Sequence, residues 1–123
     1  MQVFVTDIEQ DALKNEFYRR VLLTERHTQL VLMTLLPGEE TGIEVHKHHD
    51  QLIRVEAGSG ALNLADRSYR LSDGVVVVIP AGIDHNIANT SPDEPLRLYT
   101  LYSPPAHPHG IVHHRKKNEK AKH

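Results

Sequence analysis

The chain has 123 residues, net charge −2 with histidine neutral, 39% hydrophobic residues and no cysteine. That length suits one domain with a core that needs no crosslink. Without cysteine there is no disulfide, thiolate metal site or cysteine nucleophile, so any metal must be held by nitrogen and oxygen.

The N-terminal "MQVFVTDIEQ" lacks the basic start and apolar run of a signal peptide, and the longest continuous apolar run is Val75 to Ile79. The expectation is a cytoplasmic protein with no membrane partner. "TDIEQDALKN" is the one weak helical candidate, with Thr6 or Asp7 as cap. Next, "QLVLMTLLPG" (29–38) reads as a strand apolar on both faces, ended by Pro37-Gly38. "GIEVH" alternates, placing Glu44 and His46 on one strand face and Ile43 and Val45 on the other. Lys47, His48, His49 and Asp50 form a hairpin loop, and "QLIRVEAG" is the following strand. "ALNLA" and "YRLSDG" flank a turn at Asp66-Arg67 and read as a hairpin. "GVVVVIPAG" reads as a buried strand, "HNIAN" alternates with His85, Ile87 and Asn89 on one face, and "PLRLYTLYSPP" is a last long strand. Short strands about ten residues apart, separated by Gly and Pro turns, predict an all-β sandwich or barrel with little helix.

The C-terminal "YSPPAHPHGIVHH" is set on an extended surface path by its prolines. Its His107, His109 and His113 read as plain surface histidines, with folding over the barrel mouth or a subunit contact as the alternatives. The tail from His113 carries +4 through Arg115, Lys116, Lys117, Lys120 and Lys122 against Glu119, which leaves the body at −6. An acidic body argues against a nucleic-acid partner. A short terminal charge run reads as a solvated tail.

Two polar clusters interrupt the apolar pattern. In the first, Gly38 is followed by five residues, Glu44-Val45-His46, four residues, Gln51, six residues and Gly58. In the second, Gly74, Pro80, Gly82, His85 and Asn89 stand as Gly, five residues, Pro-x-Gly, two residues, His, three residues, Asn. These two blocks, fifteen residues apart, resemble the two motifs of the cupin family. The resemblance implies a double-stranded β-helix, or jelly-roll, barrel. It divides the chain into an N-terminal arm with edge strands (1–28), a cupin barrel (29–103) and a Pro/His-rich segment with the basic tail (104–123).

The family's first histidine is Glu44 here and its glutamate is Gln51; both replacements keep a donor oxygen. The resemblance therefore implies a metal set of Glu44, His46, Gln51 and His85. The ligand types are similar to those of cupin-type phosphomannose isomerases and suit a divalent Zn, Mn, Fe or Ni. Reading His46-x-His48 as the family pair would break the register set by Gly58, so His48 and His49 are rim residues. The resulting expectation is a metal-binding cupin acting on a small polar molecule, as a sugar or sugar-phosphate isomerase-like enzyme. A non-catalytic binding or sensor protein and an Fe(II) dioxygenase are the alternatives. Lys47, Arg54 and Arg97 are the cations considered for a phosphate. Since the 29–36 strand is apolar on both faces, a homodimer is expected to cover it.

Overall fold

A computed structural model describes residues 2–116, so the part of the basic tail beyond Lys116 lies outside the described residues. The chain begins with a short helix, α1 (Ile8–Lys14). Asp7 caps it by accepting a hydrogen bond from the Gln10 backbone N–H at 3.1 Å. Nine strands follow among the described residues: β1 (Arg19–Thr24), β2 (Gln29–Leu35), β3 (Asp50–Ala57), β4 (Gly60–Asn63), β5 (Ser68–Leu71), β6 (Val76–Ile79), β7 (Asn86–Asn89), β8 (Leu96–Ser103) and β9 (Val112–His113). They form an antiparallel six-stranded sheet, β6-β3-β8-β2-β1-β9, and a three-stranded sheet, β5-β4-β7. The expected all-β jelly-roll is therefore the observed architecture.

Strict alternation sets which residues face inward. On β3, Gln51, Ile53 and Val55 are buried, and on β8 so are Leu96, Leu98, Thr100 and Tyr102. These meet Leu62, Leu71 and Ile87 of the smaller sheet in one core. The β4–β5 hairpin forms with the predicted pairing, Gly60 opposite Leu71 through Asn63 opposite Ser68. Gly58 turns the chain from β3 toward β4 with φ of +113°, a conformation open to glycine.

Three sequence expectations change. First, β2 is buried on both faces, but within the chain. Val31, Met33 and Leu35 join the core, while α1 packs against the sheet's outer side near Leu32 and Thr34. The buried Asn15 side chain donates to Thr34 Oγ1 at 3.0 Å, and the Thr34 hydroxyl donates to the Asn15 carbonyl at 2.8 Å. No second copy is needed to cover this strand. Second, the 75–79 run is not a buried strand. Among the described residues β6 ends the sheet, pairs only with β3 and leaves Val76 52% and Val78 64% exposed. Third, "GIEVH" is not a ladder strand. Glu44 makes a single antiparallel bridge to His85, and Glu40 makes another to Ala88.

The 104–113 segment folds back onto the barrel. The buried Gln29 side chain accepts from the backbone N–H groups of Ala106 (3.1 Å) and His107 (2.9 Å), and it donates to the His107 carbonyl at 2.7 Å. β9 then pairs with β1, placing His113 opposite Arg19. His109 is exposed, but His107 and His113 are partly buried and are not plain surface residues.

Candidate metal centre

The site begins with one backbone bridge. The Glu44 N–H donates to the His85 carbonyl at 2.8 Å, and the His85 N–H donates to the Glu44 carbonyl at 2.9 Å. Residues paired in this way carry their side chains side by side on one face. His46, two residues beyond Glu44, projects the same way, and its carbonyl is fixed by the Gly82 N–H at 3.0 Å. One potential ligand atom from each of Glu44, His46 and His85 then lies within 4.8 Å of the others. His46 Nε2 stands 3.8 Å from Glu44 Oε1, too far for a hydrogen bond.

Hydrogen bonding fixes which atoms face inward. His85 is 2% exposed, and its Nδ1 lies 2.9 Å from the Ile83 carbonyl. A carbonyl only accepts, so Nδ1 carries the proton and Nε2 presents a lone pair. Gln51 lies at the start of β3 with its donor end committed. Its Nε2 donates to Thr100 Oγ1 at 3.0 Å and to the Tyr102 hydroxyl at 3.3 Å. His85 Nε2, His46 Nε2 and Gln51 Oε1 are all buried without a hydrogen-bond partner. Each such atom costs about 1–3 kcal/mol if it stays unsatisfied. Lone pairs of nitrogen and oxygen beside a carboxylate suit a borderline or hard divalent cation, so the residues present fit a metal ion.

Tyr102 ties the group together. Its ring stands edge-on to His46, centroids 5.2 Å apart, and edge-on to His107 at 5.1 Å. The adjacent histidines are placed differently. His48 is exposed, and His49 donates from Nδ1 to the Pro104 carbonyl at 2.7 Å. Its ring is 6.1 Å from that of His46. Asn89 is structural: its amide donates to the Leu35 and Glu94 carbonyls, both at 2.9 Å.

The cations considered from sequence do not face this group. Arg54 and Arg97 project outward from β3 and β8, where they pair with Glu56 at 3.8 Å and Glu16 at 2.8 Å. Lys47 is exposed in the rim loop. The cation beside the site is Arg19 of β1, which sequence reasoning missed. Its side chain is 0% exposed, and Nη2 is 3.7 Å from Glu44 Oε2. The signal available was alternation: Arg19 shares the inward face of β1 with Val21.

The chain matches the family described as Cupin domain over residues 31–102. It is 45% identical over 115 residues to an uncharacterized protein of Acanthamoeba polyphaga mimivirus, covering 90% of this chain and 71% of that one. It is 39% identical over 119 residues to the uncharacterized protein YrkC of Bacillus subtilis, covering 92% of this chain and 63% of that one. A crystal structure of a Bacillus halodurans protein superposes with a TM-score of 0.94 at 40% identity, covering 98% of this chain and 95% of that one. The match takes in the bridge, the histidines and Gln51 alike, and the chain belongs to the cupin family.

Proposed function

We propose that this cupin holds a divalent metal through Glu44, His46, Gln51 and His85 and uses it to bind a small polar molecule at the mouth of the barrel. The observation that carries the proposal is the pair of buried, unpartnered nitrogens, His46 Nε2 and His85 Nε2, grouped with the Glu44 carboxylate, and Gln51 Oε1 is buried and unpartnered as well. Bound there, a divalent ion would act as a Lewis acid toward an oxygen of the ligand. The chain's own groups do the rest. The Ile83 carbonyl keeps the His85 tautomer in place, and Thr100 and Tyr102 hold the Gln51 oxygen inward. The mix of two histidines, glutamate and glutamine supports the likeness to phosphomannose isomerase sites in ligand type. On this reading the activity is isomerase-like.

Elemental analysis of the purified protein, before and after reconstitution with Zn, Mn, Fe(II) and Ni, tests the metal. About one equivalent of a divalent ion per chain is expected, and only traces with all four would sink the proposal. A second reading is favoured by the triad of Glu44, His46 and His85 on its own, because two histidines and a carboxylate are a common Fe(II) set in oxygenases. Oxygen uptake by the Fe(II)-loaded protein with a bound small molecule separates that reading from isomerisation. A cytoplasmic setting and pairing of two copies also belong to the proposal. With β2 covered by α1, the support for pairing comes from the open edge of β6, where a second β6 could add across Val76 and Val78. Sedimentation at tens of micromolar tests it, with a species near 28 kDa expected and one near the chain's 13.9 kDa counting against it.

A further inference from the structure

Two apolar strips are left uncovered on the outer side of the large sheet, and each is built on a pair of valines two residues apart. The first is on β6, where Val76 is 52% and Val78 64% exposed. They share the outer face with Arg54 and Leu52, their partners on β3. Among the described residues nothing pairs with the other edge of β6. Proteins usually blunt such an edge with a charge, a proline or a bulge. Here Val75 to Ile79 is uncharged and β-branched throughout. The second strip is the N-terminal arm, residues 2–6, which forms neither helix nor turn. Val3 and Val5 are 88% and 85% exposed, and Phe4 between them is 42% exposed. The exposures alternate as in an extended chain, with the phenylalanine side the more covered and the two valines turned out. The root of the arm is fixed, because Asp7 caps α1 and the Thr6 hydroxyl donates to Asp11. α1 lies on the outer side of the sheet and reaches across β2 and β8 to β3, the neighbour of β6. The arm therefore starts on the face that carries Val76 and Val78.

Resting on the pairing of two copies proposed above, we propose that the N-terminal arm of each copy crosses the seam between two β6 strands and lays Val3 and Val5 on Val76 and Val78 of the other copy. Size is the first argument. A stable interface takes about 20–30 residues from each partner. β6 offers four residues, so two edges side by side make too small a contact. The arms, with the outward side chains of β3 beside the seam, bring the contact toward the required size. Charge is the second argument. Neither strip carries a charged residue, Arg54 beside Val76 is already paired with Glu56, and a net charge of −2 opposes self-association only weakly. Symmetry is the third. Antiparallel pairing about a two-fold axis normal to the sheet keeps both outer faces on one side, so each arm meets the other copy's strip in the same way.

The test is sedimentation of the full chain over a dilution series. The parent is expected to form a dimer, twice the 13.9 kDa of one chain. Burying one valine is worth about tenfold or more in an equilibrium constant, so Val3→Asp combined with Val5→Asp should weaken the dimer about 100-fold or more. The arm precedes the Asp7 cap, so the far-UV circular dichroism of that variant should match the parent. Val78→Asp should weaken the dimer as well, and the arm variant decides the matter if Val78→Asp does not fold. The chain has no cysteine of its own, so Val5→Cys combined with Val78→Cys reports the crossing directly. Oxidation of that variant is expected to give a disulfide-linked dimer. An oxidised monomer would mean that the arm folds back on its own β6, and would overturn the proposal. A parent dimer that withstands dilution equally well with Val3→Asp and Val5→Asp overturns the arm's role and leaves the pairing of two copies standing. A parent chain that stays monomeric at tens of micromolar overturns the pairing itself.

Discussion

Replacing His85 with alanine tests the proposed centre most directly. His85 presents an enclosed Nε2 and is held by one local hydrogen bond, from Nδ1 to the Ile83 carbonyl. Loss of an outer partner typically costs 10–100-fold in metal affinity, so loss of a ligand should cost more than about 100-fold. The readout is thermal. At a free metal concentration of about 100 times Kd, binding stabilises the folded state by about 2.7 kcal/mol. A domain of this size gains roughly 3–6 °C per kcal/mol, so the parent should melt about 8–16 °C higher with metal. At the same concentration His85→Ala would be half-saturated at best, which leaves about 0.4 kcal/mol and a rise of roughly 2 °C. Each variant is compared with itself, with and without metal, so the cavity left by truncation cancels. His46→Ala should behave like His85→Ala. His48→Ala and His49→Ala should keep the full rise, since one side chain is exposed and the other is bound to Pro104. A full metal-dependent rise in His85→Ala, or none in His48→Ala, would refute the register that joins Glu44 and His46 to His85.

Gln51→Glu restores the carboxylate usual at this family position and should tighten metal binding about tenfold or more, measured by chelator competition; weaker binding would remove Gln51 from the ligand set. Gly58→Ala should lose roughly 2–4 kcal/mol in urea unfolding, since a Cβ at φ +113° would sit 2.6 Å from the Pro95 carbonyl oxygen and 2.9 Å from Leu96 Cα. A loss under about 1 kcal/mol would show that the β3–β4 turn relaxes easily. Asn15→Ala removes the side-chain bonds to Phe17 and Thr34 that fasten the α1 segment over β2 and should cost about 1–3 kcal/mol in the same assay. An unchanged midpoint would mean that α1 does not help to cover Leu32.

The strands that alternate were readable because period two records which side of a sheet is wet. β3, β8 and β7 each carry it; the shared face of His85, Ile87 and Asn89 came directly from their spacing, and 51–58 and 95–105 were recognisable as strands. The run Val75 to Val78 has no period, so nothing in it told that Val76 and Val78 face solvent from an edge strand. In β2 the pattern correctly required cover on both faces, but composition cannot name the cover, and a short capped helix provides it in place of a second chain. The position of His107 depends on Gln29, 78 residues away, clamping its backbone. That is a tertiary contact with no local signature. Arg19 escaped for a similar reason. Arginine in a strand usually reads as solvated, and only closure of the barrel around β1 encloses it.

Histidine count says little about which histidine belongs to the centre. His49 and His85 both donate from Nδ1 to a backbone carbonyl, at 2.7 and 2.9 Å, so both are held with Nε2 as the remaining lone pair. What separates them is where that lone pair ends. His85 follows the Pro80–Gly82 turn just before β7 and is pinned to Glu44 by two backbone hydrogen bonds, so its Nε2 is enclosed near His46 Nε2, another buried acceptor without a hydrogen-bond partner. His49 follows the rim turn and is tied outward to Pro104, where water can serve its other nitrogen. A cation gains most where water cannot reach and hydrogen-bond donors are missing, because each lone pair there is otherwise left unsatisfied. The glycine and proline spacing of the two motifs works through this enclosure. It closes the single bridge between Glu44 and His85, and His48 and His49 are left to the rim.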